Sequence, residues 1–249
     1  MKIKIFLMLF LTALLLNGGE IRIAAAANVS YAIDDLIKEF NTLYPKTKVT
    51  VLLGSSGKLT AQIKNGAPYH IFMSANMKYP KALYDEKSAV TKPKVYAKGS
   101  LAYLSAKKLD FSKGILLTKE SDIKKIAIAN PKTAPYGKAT VEAMKNAGVY
   151  EKIKNKLIYA ESVSQSVVYA ITAADMGFVA KSALYSSKMK RFKEGINYKS
   201  VDPKLYTPIS QGVVILKKGE KNPEVKAFYD FIFSPKAKEI FKKYGYLIP

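Results

Sequence analysis

Short apolar segments alternate along this chain with longer segments whose apolar residues recur at helical spacing. Glu20–Ala25 and the β-branched segment Lys48–Leu53 each predict a strand. Ser30–Tyr44, which lies between them, predicts a helix with Asn28 and Ser30 as cap candidates. The further predicted strands are His70–Ser74, Leu101–Ser105, Ile126–Ala129, Leu157–Ala160, Met176–Ala180 and Ile209–Leu216. The further predicted helices are Gly57–Asn65, Pro80–Glu86, Gly137–Asn146, Ser164–Ala173, Glu224–Phe233 and Pro235–Tyr244. This alternation predicts an α/β fold in which parallel sheets are covered by helices.

The N-terminus has the pattern of an export signal. Lys2 and Lys4 precede the apolar run Ile5–Leu16, and small residues follow it. This order is typical of a secretory signal peptide, which we predict over residues 1–19. The run is short for a transmembrane helix, so an uncleaved membrane anchor is the second interpretation. No later segment is long and apolar enough to span a bilayer, and we therefore expect an exported, soluble mature protein.

The chain is strongly basic, with 41 Lys and Arg residues against 19 Asp and Glu, a formal net charge of +22. The lysines are scattered singly and in pairs. Only Arg22 and Arg191 are arginines, the residue that most often reads guanine edges in DNA. This distribution favours a lysine-rich surface over a nucleic-acid interface, so nucleic acid is not an expected partner.

The amino-acid composition excludes most classes of catalytic site. The chain has no cysteine, which excludes disulfides, thiolate zinc sites, iron–sulfur clusters and cysteine nucleophiles. Its one histidine, His70, lies within a predicted strand, and no Gly-x-Ser-x-Gly elbow occurs. Seventeen tyrosines could indicate ferric or sugar binding, but most fall singly within predicted elements. We therefore expect a binding protein and no enzyme, with a secreted basic hydrolase as the alternative from another class.

Several turns between a strand and a helix have the character of anion sites. The segment Gly54–Leu59 is rich in glycine and serine but is not a Walker A motif, because Leu52 replaces its first glycine and Leu59 its final Ser or Thr. Similar turns occur at 26–28, 134–137 and 162–164. Helix N-termini at the carboxyl ends of strands are where open α/β sheets bind ligands, and their amides favour an anion. A set of helix caps without a ligand is the plainer interpretation of these turns.

Together these segments resemble the periplasmic molybdate-binding proteins of ABC transporters, over essentially the whole mature chain. The segments that carry the resemblance are Ile23–Asn28, Gly54–Ile63, Gly66–Ala75, Asn130–Pro131 with Pro135–Gly137, Met176–Val179, Val225–Phe231 and Ile240–Tyr246. The resemblance implies an α/β, two-domain periplasmic binding protein of type II, with mixed, mostly parallel sheets flanked by helices and the ligand cleft between the domains. The expected domains are 20–98 with 209–249, and 99–208.

The resemblance also implies the ligand, the partners and the site. The ligand is the molybdate or tungstate oxyanion, bound without a cofactor or a metal cation, and the partner is an inner-membrane ABC permease that a monomer meets in the periplasm. The oxyanion contacts fall on Asn28, Ser56, Tyr136 and Val163. The family's tyrosine after Gly-Phe-Val is Ala180 here, so that donor is missing or is replaced by another group such as Tyr136.

Selectivity among oxyanions follows from the expected donors. Sulfate has the charge and shape of molybdate but is smaller, so the size of the cavity must reject it. Phosphate carries a proton near neutral pH, which a site made only of donors leaves unpaired. A receptor for sulfate or another oxyanion is the second interpretation in the same class.

Overall fold

Two separate sheets hold the ten strands of residues 19–249, the part of the chain that the computed structural model describes. In chain order the strands are β1 (Glu20–Ala26), β2 (Lys48–Gly54), β3 (Ile71–Ser74), β4 (Lys94–Gly99), β5 (Leu101–Leu104), β6 (Ile126–Ala129), β7 (Leu157–Ala160), β8 (Met176–Ala180), β9 (Tyr198–Ser200) and β10 (Ile209–Ile215). The strand order is β2-β1-β3-β10-β4 in the first sheet and β7-β6-β8-β5-β9 in the second. We call the parts of the chain built on these sheets the first and second lobes.

Helices connect the strands. They are α1 (Ile33–Leu43), α2 (Ser56–Lys64), α3 (Lys78–Asp85), α4 (Pro135–Asn146), α5 (Tyr150–Ile153), α6 (Val163–Thr172), α7 (Pro223–Phe231) and α8 (Pro235–Lys243). The 3-10 helices are Ala27–Tyr31, Phe111–Lys119, Lys154–Lys156, Lys181–Tyr185, Ser187–Met189, Pro203–Leu205 and Lys217–Gly219. No helix within residues 19–249 has the length and apolar character that crossing a membrane requires. Residues 1–18, on which nearly all of the predicted signal peptide falls, lie outside the described residues.

The sheets are mixed, as expected, and parallel and antiparallel strand pairs are equal in number within residues 19–249. β1 pairs in parallel with β2 and β3, and β6 pairs in parallel with β7 and β8. β10 is antiparallel to β3 and β4, and β5 is antiparallel to β8 and β9. The parallel pairs come from strand–helix–strand units, whose geometry imposes that direction. β5 and β10 each enter their sheet from the other lobe, so no helical crossover sets their direction.

The chain passes between the lobes at two places. β4 ends at Gly99 and β5 begins at Leu101, so the first passage is the single residue Ser100. The return runs over residues 201–208, between β9 and β10. The C-terminal segment lies beside the first passage, because Lys98 and Leu247 exchange backbone hydrogen bonds of 2.7 and 2.9 Å. The polar residue before Leu247, Tyr246, is thereby held at the junction of the lobes.

Each lobe has a core of its own. In the first lobe the Phe40 ring packs against Phe228 and Phe231, with ring centroids 5.0 and 5.7 Å apart. In the second lobe Tyr103 packs edge-on against Phe178 at 5.1 Å. Burial of such side chains contributes roughly 1.5–3 kcal/mol each. The two cores meet at the boundary between the lobes, where Ala26, Ala27 and Ala75 of the first lobe pack into the buried cluster of the second.

Two strands were missing from the sequence prediction, β4 and β9. β4 reads Lys-Val-Tyr-Ala-Lys-Gly and lies at the edge of its sheet, where its lysines reach solvent and mask the apolar pattern. β9 has only three residues and also lies at an edge. The predicted start of α8, Pro235, is confirmed. The other predicted helix starts are one to three residues out, for example at α4, which begins with Pro135 where Gly137 was expected. Proline at a first helical position is common, since the missing N–H has no partner there.

Candidate ligand-binding site

A small cavity lies between the lobes, where the strands of both sheets end and helices begin. Its volume is about 10 Å³, roughly the space that one water molecule needs. The lining residues are Ala26, Ala27, Asn28, Gly54, Ser55, Ser56, Ala75, Ala134, Pro135, Tyr136 and Val163. These are all uncharged, and most have small side chains. Whatever binds here meets backbone amides and neutral polar groups.

All four residues predicted to contact the ligand line this one cavity. Asn28 lies in the 3-10 helix that follows β1, and Ser56 is the first residue of α2. Tyr136 and Val163 lie in the first turns of α4 and α6. The fold therefore brings together positions that are up to 135 residues apart in sequence, from both lobes. Their contact with a ligand remains a prediction.

The Ser56 side chain is positioned so that its hydroxyl proton is free to donate a hydrogen bond. Its Oγ accepts a hydrogen bond from the backbone N–H of Ala75 at 3.0 Å, and the side chain is fully buried. A hydroxyl that already accepts in this direction has its own O–H left to donate. The Ala75 contact, which comes from the end of β3, fixes the side chain at the cavity wall.

Ser55 is a cavity residue that the sequence prediction missed. It is the N-cap of α2, but its side chain makes no capping hydrogen bond. Its Oγ is buried and has no partner among the described residues. A buried hydroxyl without a partner costs about 1–3 kcal/mol, which a ligand would recover by accepting from it. The signal was present in the sequence, since Ser55 and Ser56 stand together in the turn.

The ring of Tyr136 reaches back from the cavity to the first passage between the lobes. Its Oη lies 3.4 Å from Nε2 of Gln211, which donates to it. Gly99 makes room for this hydroxyl, because a Cβ at that position would lie 2.0 Å from Oη. Ala180 is buried at the end of β8 and does not line the cavity. Whether the Tyr136 hydroxyl replaces the missing donor remains a prediction.

Asn28 corrects the expectation that the site contains donors alone. Its Nδ2 donates to Gln211 Oε1 at 2.8 Å and to the Tyr246 hydroxyl at 2.9 Å. Its Oδ1 is buried and has no partner in the described chain. Both amide hydrogens are therefore engaged on the side away from the ligand, and the free group of this side chain is an acceptor. Sequence reasoning could place Asn28 at the cavity but not assign the direction of its amide.

The electrostatic character of the cavity comes from helix ends. α2, α4 and α6 begin at its wall, and the first-turn N–H groups of a helix carry a partial positive charge. Lys58, the lysine nearest to Ser56 in sequence, pairs instead with Glu161 at 2.7 Å. Both side chains are about half exposed, at 52% and 57%, so the pair lies at the surface. The site attracts an anion through dipoles without a buried cation.

The lobes touch each other around the cavity. The Gly57 N–H donates to the Thr133 carbonyl at 2.9 Å, and Ser164 Oγ donates to the Ala27 carbonyl at 2.7 Å. Lys58 and Glu161 bridge the same interface. These contacts join the two lobes on both sides of the cavity.

His70 has a structural position. Its Nδ1 accepts from the backbone N–H of Arg22 at 3.2 Å, at the base of the first sheet. Burial lowers the pKa of the imidazole below its usual value, with the Arg22 charge acting in the same direction. The neutral ring is therefore the favoured form. No group of three His, Cys, Asp or Glu side chains within residues 19–249 is placed to hold a metal ion.

Residues 21–247 match the model of a family described as bacterial extracellular solute-binding protein. The chain belongs to this family. Proteins named molybdate-binding protein ModA from Rhodobacter capsulatus and Azotobacter vinelandii are 39% and 36% identical to it. Each alignment covers 92% of this chain, and 89% and 90% of the two relatives. The solved structure of the Azotobacter vinelandii periplasmic molybdate-binding protein has a TM-score of 0.84 at 31% identity, covering 92% of this chain and 99% of that one. The expected two-domain, type II fold is confirmed.

Buried tyrosines beside the cavity predict how stability depends on pH. Burial raises the pKa of Tyr246 to about 12, and it raises the pKa of Tyr96 and Tyr136 well above the usual value. In the unfolded chain these hydroxyls ionise near pH 10. Between about pH 10 and pH 12 the folded state therefore binds more protons than the unfolded state, and stability falls as pH rises. Below pH 10 these groups contribute no pH dependence.

We expect Tyr246→Phe to make the fall of the unfolding free energy with pH less steep by about 1.4 kcal/mol per pH unit. The variant has one proton fewer in the difference between the protons bound by the folded and unfolded states. Urea unfolding at several pH values from 8 to 11 measures it. Tyr185→Phe, at a half-exposed ring, is the control and keeps the wild-type slope. An identical slope in Tyr246→Phe and wild type would contradict the assignment.

Proposed function

We propose that this protein captures molybdate or tungstate outside the cytoplasm and delivers it to an inner-membrane ABC permease. The observation that carries the proposal is the cavity, which uncharged residues and three helix N-termini from both lobes line together. The relatives named for molybdate binding support the same oxyanion. Export to the periplasm through a signal peptide at 1–19 is part of the proposal, as is a monomeric protein without a nucleic-acid partner.

Neutral donors are sufficient for a tight complex. About seven hydrogen bonds to a dianion, at roughly 1.5–3 kcal/mol each, give about 10–20 kcal/mol before costs. Loss of translational and rotational freedom takes back at least about 4 kcal/mol. The remainder reaches the roughly 8–12 kcal/mol of micromolar to nanomolar binding.

The donors available at the cavity suit a tetrahedral oxyanion. Ser55 and Ser56 contribute hydroxyls, and the amides at the starts of α2, α4 and α6 approach from different directions. Tyr136 and Val163 belong to the second lobe, whereas the two serines belong to the first. An oxyanion bound to both sets holds the lobes together.

We expect molybdate and tungstate to raise the melting temperature, and sulfate and phosphate to do so far less at equal concentration. A ligand that binds only the folded state stabilises it by mass action, and sulfate is too small to reach donors on both sides. A thermal-shift series with the four sodium salts, and sodium chloride at matched ionic strength, measures this. Equal shifts with sulfate and molybdate would contradict the proposed ligand.

We expect Ser55→Ala to weaken molybdate binding by about 1.5–3 kcal/mol, the range for a hydrogen bond to a charged group. Ser56→Ala should weaken binding by a similar amount. Lys58→Ala should change it much less, because the lysine pairs at the surface with Glu161, and an exposed pair contributes about 0–1 kcal/mol. Calorimetric titration with molybdate at two salt concentrations measures the order of the effects.

The melting temperatures without ligand separate binding from folding in these variants. Ser55→Ala removes a buried hydroxyl that has no partner among residues 19–249, so it should raise stability by up to the roughly 1–3 kcal/mol that the unpaired group costs. Ser56→Ala leaves the buried Ala75 N–H unpaired and should lower stability. Ser234→Ala, at the N-cap of α8, is the matched control: it removes a capping bond to Ala237 far from the cavity and should keep molybdate affinity. A larger loss of affinity in Lys58→Ala than in Ser55→Ala would rule out the dipole-based site.

The domains of the proposed receptor are 20–98 with 209–249, and 99–208. Their boundaries fall at the two passages between the sheets. The hinges are Lys98–Ser100 and Thr207–Ser210, where the chain leaves one sheet and enters the other. Ligand binding closes the two domains as rigid bodies.

Gly57→Ala tests this closure. A Cβ at Gly57 would lie 2.8 Å from the Tyr79 hydroxyl, the end of a side chain in its own lobe that must shift. It would also lie 2.9 Å from the Thr133 carbonyl oxygen and 3.0 Å from the Thr133 Cα, both backbone atoms of the other lobe. We expect molybdate to reduce the radius of gyration of wild type but not of Gly57→Ala, measured by small-angle scattering. Alanine favours a helix by about 1 kcal/mol over glycine, so the variant should remain stable without ligand. The same contraction in both proteins would contradict the closure at this contact.

A further inference from the structure

Five buried side chains form one hydrogen-bonded group behind the cavity. They are Asn28, Tyr96, Tyr136, Gln211 and Tyr246, and each is at most 3% exposed. Gln211 lies at the centre. Its Oε1 accepts from Asn28 Nδ2 and from Tyr96 Oη, each at 2.8 Å, and its Nε2 donates to Tyr136 Oη at 3.4 Å. Asn28 and Tyr136 also line the cavity, so the group joins the ligand site to the interior.

The direction of the Gln211 amide determines the direction of the Asn28 amide. Because Gln211 turns its oxygen toward Asn28, Asn28 must turn its nitrogen toward Gln211. The second hydrogen of that nitrogen goes to the Tyr246 hydroxyl. The Asn28 oxygen is then left buried without a partner among the described residues. A dianion in the cavity would meet an acceptor there, which repels it.

If both amides turn over together, each oxygen and nitrogen exchange places, and Asn28 presents its nitrogen in place of its oxygen. The neighbouring residues need not move, since the oxygen and nitrogen of an amide have nearly the same shape. Gln211 Nε2 then donates to Asn28 Oδ1 and to Tyr96 Oη. The Tyr246 hydroxyl turns its proton from the Asn28 carbonyl, which it contacts at 2.8 Å, to Asn28 Oδ1. Asn28 Nδ2 is released with both hydrogens available to a ligand.

The two arrangements differ in which group is unpaired. The observed arrangement leaves Asn28 Oδ1 without a partner. The reversed one satisfies that oxygen, and the Asn28 carbonyl keeps its bond from Ser182 Oγ at 3.1 Å. It leaves the proton of Tyr96 without an acceptor, because Gln211 Oε1 has turned away to Tyr136. Without a ligand the reversed arrangement also leaves Asn28 Nδ2 unpaired, so a ligand that accepts from this group shifts the balance toward the reversed arrangement.

We infer that Gln211 is a positioning residue whose amide direction decides whether Asn28 presents donors or an acceptor to the bound oxyanion. The inference rests on the proposed function. Molybdate has no proton near neutral pH and selects the reversed arrangement, in which Asn28 donates. Hydrogen phosphate carries a proton that Asn28 Oδ1 accepts in the observed arrangement. The Gln211–Asn28 pair therefore acts as a specificity element between deprotonated and protonated oxyanions.

Tyr96→Phe gives a test whose sign a purely structural role does not predict. Tyr96 does not line the cavity, and its hydroxyl bonds to Gln211 Oε1. Its removal abolishes the unpaired proton of the reversed arrangement and so favours that arrangement. We expect the ratio of molybdate affinity to phosphate affinity to rise by about threefold or more. A threefold change corresponds to about half of the 1.4 kcal/mol of a tenfold change, which is a modest part of what one buried hydrogen bond contributes. Calorimetry with sodium molybdate and sodium phosphate at one pH measures it.

Gln211→Glu gives the opposite change. A carboxylate only accepts, so it holds Asn28 Nδ2 and fixes the acceptor toward the ligand. The charge of the glutamate weakens the binding of both anions, whereas the fixed direction of the Asn28 amide weakens the binding of molybdate alone. The ratio of molybdate affinity to phosphate affinity should therefore fall by about tenfold. Tyr206→Phe is the control: it removes a buried hydroxyl that bonds the Leu101 N–H outside this group, and the ratio should stay at the wild-type value.

The outcomes separate the inference from the proposed function. If wild type does not bind molybdate, the proposed function fails. If wild type binds molybdate but Tyr96→Phe leaves the ratio unchanged or lowers it, the role of Gln211 is overturned and the function stands. In the side-chain amide NMR spectrum of wild type, molybdate should shift the Asn28 and Gln211 resonances together, and phosphate should leave them in place. Tyr96→Phe decides the matter alone if Gln211→Glu does not fold.

Discussion

The separation of the two lobes controls what the cavity binds. Its lining residues are short, so their hydroxyls and amides meet a common ligand only when the lobes are within hydrogen-bonding distance. Glycine makes that distance possible at two points. Gly57 lets its backbone reach the Thr133 carbonyl at 2.9 Å, and Gly99 leaves space for the Tyr136 hydroxyl. The proposed closure of the lobes would therefore also complete the proposed site.

Long-range attraction of anions and their recognition in the cavity depend on different parts of the protein. The chain carries +22, yet the cavity wall is uncharged, and Lys58 at its margin is paired with Glu161. The lysine-rich surface raises the local concentration of anions through a field that salt screens beyond about 8–10 Å. Within the cavity, fixed dipoles discriminate by geometry. A buried lysine would instead hold any dianion and would remain as an unpaired charge after release.

Much of this arrangement could be predicted from the sequence. The strands from β6 to β8 have the predicted bounds, because continuous apolar segments with clear turns give an unambiguous signal. The turns after β1 and β2 indicated anion-binding segments, and the resemblance to molybdate-binding proteins assigned the expected contacts within them to Asn28 and Ser56. The missed parts depend on tertiary contacts. Ser55 became a cavity residue only because its hydroxyl makes no cap bond, and Gln211 reaches Asn28 across 183 residues of sequence.

Two buried polar groups at the cavity would link ligand binding to the positions of the lobes. Ser55 Oγ and Asn28 Oδ1 both lack a partner among the described residues when the lobes are together. Each such group costs about 1–3 kcal/mol relative to contact with water. Opening the cleft returns them to water, whereas an oxyanion satisfies the hydroxyl directly and the amide through reversal of the Asn28–Gln211 pair. The ligand thus favours the closed form by removing a penalty as well as by adding contacts. A partner that recognises the closed lobes would then distinguish loaded from empty protein without touching the oxyanion.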